Sequence, residues 1–433
     1  MFAAKDSATL AEEIRNLQQD IEKLRSISPS QNNYGFLLSS PYVGLRATYD
    51  DSALLTNLPS IDTDLRLLEQ RRDIVRYMSS QNIAIPDRPI VALSGAIEGE
   101  ASFGRDYTGG GKSYIDLSRA ELDLLGQINP WITTAIFICY DDTASSSGAV
   151  VTNSKVYLDS AFITLGDLEV SPWYGTIGQL YVPFGQYYNY MVTTPLIKDL
   201  ARTRERAIEL GYRHNGINAA VYGYKGDTYV SDHSNEINDW GVNLSYDFNW
   251  KSIDISIGGG YINNIAESEG MMDNGDTTDG HFDGFYSHQQ LHHFVPAVDL
   301  NGWFQYKDYT LVMEYINVTR DFDRADLSFN GKGASPRALD VEINYGFNFI
   351  DKISTIALGY GRTWDALALN LSKHSAFVNF SIALVKFTVE SIEFRHDWNY
   401  GKNDTASGGG GGDYSPVGAR TRNAVTAQVG VYF

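Results

Sequence analysis

Three observations predict an all-β protein, a transmembrane antiparallel β-barrel of about sixteen strands. From Ile90 onward, apolar and polar residues alternate with period two over successive segments. Tight turns alternate with long polar loops, the pattern of an up-and-down membrane barrel. The chain closes on an alternating strand, with Val425, Ala427, Val429, Val431 and Phe433 on one face and Ala424, Thr426, Gln428, Gly430 and Tyr432 on the other. A strand of this length, tilted at about 45°, crosses a hydrocarbon core.

Composition agrees with that class. Tyr is frequent at 28 residues and Gly at 40, while Pro is held to 12, a bias that suits aromatic interface belts and strands. A mean hydropathy of -0.25 is compatible with a membrane barrel, whose strands show one apolar and one polar face. No stretch reaches the 18 or so apolar residues of a transmembrane helix, so any crossing is by paired strands. The net charge of -19 argues against nucleic acid as partner, because binding its phosphate backbone needs a broadly basic surface. One cysteine, Cys139, excludes an internal disulfide framework and reads as a small apolar strand residue. The first residues lack the basic and apolar regions of a secretory leader, and the strand pattern leads to the expectation that one has been removed.

Taken in order, residues 1–29 read as a coiled coil. Leu10, Ile14, Leu17, Ile21 and Leu24 form an a/d seam, Thr9 and Glu12 fit a capping box, and Ser28-Pro29 stops the run. With under three heptads the coil is marginal alone. It either packs on the chain's own body or supports a homo-oligomer through residues 7–28; Ile at a with Leu at d nominally favours two strands. Residues 30–88 read as a small periplasmic helical and linker domain beneath the barrel. Its helix over 62–80 carries Leu65, Leu68, Val75 and Met78 on one side.

Residues 89–433 form the barrel. Val91 to Phe103, Trp240 to Trp250 and Leu339 to Phe349 alternate cleanly, with polar or charged residues along the second face. Tight turns are expected at Trp250-Lys-Ser-Ile253, Tyr306-Lys-Asp-Tyr309, Ile350-Asp-Lys-Ile353 and Leu384-Val-Lys-Phe387. Long loops are expected at 105–112, 141–153, 227–238, 264–293, 318–337 and 399–420. Sixteen strands leave an aqueous lumen, making the chain a pore.

The stretch least like a strand is Gly178-Gln-Leu-Tyr-Val-Pro-Phe-Gly185 and its continuation to Arg206. Pro183, Phe184 and Gly185 mark where the chain leaves the wall for an inward loop. Alternation places Arg202, Arg204 and Arg206 on one face. Guanidiniums on the lipid face cost about 2–4 kcal/mol each near mid-membrane, so a lumen or interface position is expected. A guanidinium pairs bidentately with carboxylate or phosphate, which suits an anionic solute. Lys198, Tyr187, Tyr188, Tyr190, Glu314, Glu393 and Arg395 complete the expected constriction. Alternatively the arginines pair structurally with lumen carboxylates such as Glu98, Glu100, Glu314, Glu342 or Glu393.

Loop 264–293 combines carboxylates with imidazoles. Asp276, Asp279, His281, His288, His292 and His293 are weak candidates for metal ligands, and the alternative is a solvated acidic loop. Gly408–Gly412 reads as a flexible loop tip. No nucleophile elbow, metalloprotease helix or paired Ser/His set occurs, so neither an enzyme nor a resident cofactor is expected. The acidic loops also allow a surface adhesin.

The C-terminal strand ending in Phe433 resembles the assembly signal of bacterial outer-membrane barrels. Three features together resemble the LbtU family of siderophore porins: the N-terminal heptads, Gly178 to Gly185 leading into the Arg-rich stretch, and Glu393-Phe-Arg-His-Asp-Trp398. That resemblance spans the whole chain. It implies a plugless sixteen-stranded receptor-porin in the outer membrane, in contact with bilayer and lipopolysaccharide, with a ferric polycarboxylate siderophore as partner. The Pro-Phe-Gly strand end followed by an inward loop also resembles phosphate- and dicarboxylate-selective porins. These imply an anion-selective trimeric porin for small nutrients.

Overall fold

The structure is a computed structural model. It describes residues 36–39, 57, 60–80, 89–141, 155–231, 236–275, 281–416 and 420–433. The predicted coil of residues 1–29 lies outside the described residues.

Sixteen antiparallel strands close into one barrel. They are β1 (Ile90–Arg105), β2 (Gly111–Asn129), β3 (Ile132–Asp141), β4 (Lys155–Leu165), β5 (Trp173–Tyr181), β6 (Arg204–His214), β7 (Ile217–Tyr224) and β8 (Asp239–Trp250). The series continues with β9 (Ile253–Ile262), β10 (Ala297–Tyr306), β11 (Tyr309–Val318), β12 (Arg337–Phe349), β13 (Lys352–Trp364), β14 (His374–Ile382), β15 (Thr388–Trp398) and β16 (Thr421–Tyr432). Each strand pairs with its sequence neighbour, and β16 returns to β1 with Tyr432 opposite Ala96 and Asn423 opposite Arg105. Gly95 and Phe433 exchange backbone hydrogen bonds at 2.7 and 3.0 Å, so the terminal residue itself is part of the ladder. Closure removes the sheet edges that lipid would leave unpaired. Beside the start of β1, below the end of β16, a short strand (Phe36–Ser39) pairs in parallel, Phe36 with Ile90 and Ser39 with Leu93.

Alternation sets the two faces. In β16 Val425, Val429, Val431 and Phe433 are exposed outward, while Thr426, Gln428 and Tyr432 are buried inward. At the closing pair, the Tyr432 hydroxyl donates to Glu98 Oε1 at 2.7 Å, both side chains being buried. Outward aromatics gather at both rims: Trp131, Trp173, Trp250, Tyr306 and Phe349 by the short turns, and Phe103, Trp240, Tyr360 and Trp398 by the long loops. Left-handed φ values at Lys251, Lys307, Ile350 and Asp351 form three of the predicted turns. The fourth is longer than expected: residues 383–387 link β14 to β15, and Phe387 takes the left-handed φ.

The helix predicted below the barrel is instead inside its periplasmic mouth. Helix α1 (Thr63–Ser80) opens with Asp64 in its first turn, the sign that a helix N-terminus favours. Leu65 and Leu68, one turn apart, pack on inward-facing Tyr174 of β5. Polar anchors fix the remainder: Thr176 donates to Asp64, Arg213 Nε lies 2.8 Å from Glu69, and Asn218 Nδ2 lies 3.3 Å from Asp62. Arg76 reaches Glu169, beyond β4, at 2.6 Å. An amphipathic stripe states that one face is buried without stating against what, and here the partner is the inner wall. The lumen therefore holds part of the N-terminal segment, which corrects the plugless expectation.

On the opposite side the long connections fold together. Leu327–Phe329 pairs with Lys332–Gly333 and with Ala406–Gly408. With them, Phe285 meets Phe282 edge-on and stacks on Phe322, at centroid distances of 5.0 and 5.5 Å. This makes a cap with its own apolar core.

Candidate functional site

The third long connection, residues 182–203, opens with the Pro183-Phe184-Gly185 turn and bonds to carboxylates of the wall strands. Phe184 is fully buried, and Gly185 has φ +83. A Cβ at Gly185 would stand 2.4 Å from the Tyr187 ring and 2.8 Å from Glu314 Oε1, so the turn requires glycine. Thereafter the loop crosses the barrel by lending its backbone N–H groups to wall carboxylates. Gln186 and Tyr187 donate to Glu314 of β11, each at 2.7 Å; Tyr190 donates to Glu342 of β12 at 2.8 Å; Val192 donates to Glu393 of β15 at 2.7 Å. Thr193 Oγ1 adds a bond to Glu393 at 2.5 Å, and Asn379 Nδ2 donates to the Tyr190 carbonyl at 2.6 Å. A carboxylate accepting main-chain donors in a low-dielectric site makes a strong hydrogen bond.

The loop then forms the short helix α2 (Leu196–Ala201), started by Pro195 in extended conformation. Leu196, Ile197, Leu200 and Ala201 bury one side, leaving Lys198 and Asp199 half-buried on the other. Arg395 of β15 pairs with Asp397 at 2.9 Å and donates to the Thr194 carbonyl at 2.9 Å. Among the expected tyrosines, Tyr187 and Tyr190 are buried in packing and Tyr188 is partly so, rather than lining an open passage. Glu314 and Glu393 likewise anchor the loop instead of facing free solvent.

The arginine stretch divides. β6 begins only at Arg204, so Arg202 is the C-terminal cap of α2 and does not belong to a strand face. Arg206 shares the parity of Ile208 and Leu210, which are 60% and 51% exposed, and its own side chain points outward. The expected three-residue ladder therefore reduces to a pair. Arg202 reaches Glu269 at 2.6 Å, and Arg204 reaches Asp159 at 2.6 Å and Glu269 at 3.3 Å. The Tyr181 ring lies under both guanidiniums, 4.5 Å from one and 5.5 Å from the other, and its hydroxyl donates to Asp159 at 2.9 Å. Cation–π contacts and charge-assisted hydrogen bonds together hold the two guanidiniums against one shared carboxylate, Glu269.

None of the carboxylates named from sequence as arginine partners is used by this pair. Asp159 was not anticipated because it sits at a register shift: Phe137 faces Ser160 while Ile138 faces Leu158, so Asp159 is an extra residue turned inward. The adjacent polar pair Asp159-Ser160, breaking the alternation, was the available signal. Glu269 was legible only as one acid of an acidic loop.

In that loop the histidines belong to the cap. His292 Nδ1 is 2.7 Å from Asp326, and its N–H donates to the same carboxylate at 2.9 Å. That partner raises the His292 pKa above its usual value. His281 stacks on Tyr414 at 4.0 Å. Among the described residues no group of three His, Cys, Asp or Glu side chains is arranged to hold a metal; Asp276 and Asp279 lie outside them. Glu267 is buried beneath the cap, accepting Thr228 and the Asp227 N–H. Burial raises its pKa to about 7, with the neighbouring Asp239 adding to the rise.

A closed sixteen-strand antiparallel barrel with its third long loop folded inward is the architecture of an outer-membrane porin. An anion-selective porin from Comamonas acidovorans superposes with a TM-score of 0.53 at 13% identity, covering 80% of this chain and all of that one. The outer membrane channel DcaP of Acinetobacter baumannii gives 0.50 at 16% identity, over 81% of this chain and 99% of that one. In sequence, a UPF0422 protein of Legionella pneumophila strain Lens is 37% identical over 409 residues, 92% of this chain and 76% of that protein. One from Coxiella burnetii is 35% identical over 399 residues, 91% of this chain and 83% of its own length. The chain belongs to the UPF0422 family. No protein-family model matches it.

Proposed function

We propose that this outer-membrane barrel admits small anions that carry carboxylate groups. The observation supporting this reading is the Arg202–Arg204 pair, two guanidiniums stacked on one tyrosine and already coordinating carboxylates of the protein itself. Planar forks in fixed register select for a carboxylate over a spherical halide. The chain's overall charge of -19 makes the local basic site the element that favours anions. No covalent chemistry is part of this function. Selectivity is tested by the reversal potential of the purified barrel in a salt gradient. Anion preference is expected, reduced in R202Q/R204Q; cation preference in the unaltered protein sinks the reading.

The cargo we favour is a ferric polycarboxylate siderophore, the solute implied by the resemblance to the LbtU siderophore porins. Uptake of such a complex in cells with and without the protein tests the cargo alone, since equal uptake removes it while leaving anion passage standing. The second reading is a channel for small dicarboxylates, which the same pair of guanidiniums sharing one carboxylate would suit.

A further inference from the structure

Glu269 does not belong to the barrel wall. It opens the short helix α3 (Glu269–Met272), in the connection 263–296 that contributes to the external cap. This helix rests directly on the constriction loop: the Glu269 N–H donates to the Arg202 carbonyl at 2.9 Å, and Ser268 Oγ donates to the Leu200 carbonyl at 2.7 Å. At Gly270 the backbones come so close that a Cβ would stand 1.7 Å from the Asp199 carbonyl oxygen. From there the Glu269 carboxylate bridges both guanidiniums, Oε2 at 2.6 Å from Arg202 and Oε1 at 3.3 Å from Arg204. All three side chains keep contact with solvent, at 21%, 24% and 29% exposure for Arg202, Arg204 and Glu269.

We propose that Glu269 is a resident carboxylate in a solute site made by Arg202, Arg204 and Tyr181, and that an incoming carboxylate binds by displacing it. The displaced side chain releases one link between cap and constriction loop. Occupancy of the pore is thereby communicated to its outer face.

Charge supports the exchange. Two guanidiniums face Asp159 and Glu269, so the site is neutral as it stands (+2 − 2) and carries one positive charge once Glu269 leaves (+2 − 1). Asp159 is nearly enclosed, with 2% of its side chain exposed, and stays as the fixed partner of Arg204 and Tyr181. Glu269 is the exchangeable one. A solute bearing several carboxylates offers the same fork geometry with a higher charge, and a partly exposed pair is inexpensive to exchange. The aromatic floor keeps the forks in place during the exchange.

This inference rests on the carboxylate-passage reading, and one experiment separates the two. Citrate is the probe, and its half-blocking concentration for chloride current is measured on the full chain in planar bilayers, with heat-modifiable gel migration verifying the folded barrel. Glu269→Gln keeps the shape and removes the competing charge, so citrate is expected to block at about tenfold lower concentration. R202Q/R204Q is expected to lose the block. If E269Q matches the unaltered protein while R202Q/R204Q loses the block, the displacement idea fails and the anion site survives. If all three proteins respond alike, or none is blocked, both readings fail. Proteolysis of the connection 263–296 supplies the second measure: citrate is expected to speed cleavage several-fold, and an unchanged rate overturns the coupling to the cap.

Discussion

Glu314 accepts the backbone N–H of Tyr187 at 2.7 Å, while its second oxygen takes the N–H of Gln186 at the same distance. One wall carboxylate thus fixes the point where the inward loop turns across the barrel. Bonds to a charged acceptor are worth about 1.5–3 kcal/mol each. Replacing Glu314 by Ala strands two buried donors, so the loop is expected to leave its place. The measurement is single-channel current, which should become larger and noisier; a quiet trace of unchanged amplitude contradicts the anchoring role.

Helix α1 shares the lumen with that loop. Asn57 donates to Asn189 Oδ1 at 2.8 Å and to the Met191 carbonyl at 2.6 Å, linking the segment ahead of the helix to the loop itself. A chain lacking residues 1–80 is expected to conduct at least about twice as much, because the mouth is cleared and the loop loses a contact. Conductance equal to that of the full chain places α1 outside the ion path.

Arg204 and Arg206 are two residues apart in β6 but differently surrounded: Arg204 is half-buried against Asp159, Glu269 and Tyr181, and Arg206 is exposed. R204Q is expected to lower the anion-to-cation permeability ratio several-fold through the loss of a guanidinium beside Tyr181, whereas R206Q leaves it within error. Reversal potentials decide this, and equal effects of the two substitutions would show that the lumen pair does not set selectivity.

The cap carries a pH dependence of defined sign. Glu267 has a folded pKa of about 7 against an ordinary 4.5, so the folded cap holds a proton that the opened one releases, and stability falls as pH rises across that interval. His292, raised by Asp326, contributes stability that is complete below its ordinary 6.5 and lost as pH climbs through the higher folded value. Both terms act in one direction. Amide protection in the described part of the connection 263–296, each rate taken relative to the intrinsic base-catalysed rate at the same pH, should be higher at about pH 5.5 than at about pH 8, with E267Q flattening the difference. Lower protection on the acid side contradicts the assignment.

The closing pair offers a stability test. Tyr432→Phe removes the hydroxyl that donates to the buried Glu98 carboxylate, a hydrogen bond to a charged group whose loss costs about 1–3 kcal/mol. A lower temperature for heat-modified migration is expected, and an unshifted transition would show that the backbone ladder alone holds β1 to β16.

The strands were legible in the sequence because a membrane leaves few solutions: period-two alternation from Ile90 to Phe433 specifies both faces at once. Pro183 and Gly185 likewise announced an inward loop through their backbone chemistry. The partners of that loop were not legible. Glu314, Glu342 and Glu393 look like lumen polar groups, and no local pattern says that they accept main-chain N–H groups. The arginines misled for a related reason. Parity arguments hold inside a strand, and Arg202 lies before β6 begins while Asp159 sits at a bulge. For α1, Leu65 and Leu68 reveal a buried stripe, but the identity of the covering surface depends on contacts more than a hundred residues away.

The short strand Phe36–Ser39 docks at the periplasmic edge of β1, and Ile90 of β1 lies at the same rim. The described part of the intervening chain, Asn57 and residues 60–80, is inside the barrel. The insert therefore has both of its tethers on one side of the membrane. The pairing of Phe36–Ser39 and the start of β1 at Ile90 thus stand together at one rim, with Asn57 and residues 60–80 held against the inner wall and the inward loop. Withdrawing those described residues would break the Asn57–Asn189 bridge and the side-chain anchors of α1, yet no pairing between two strands of the barrel.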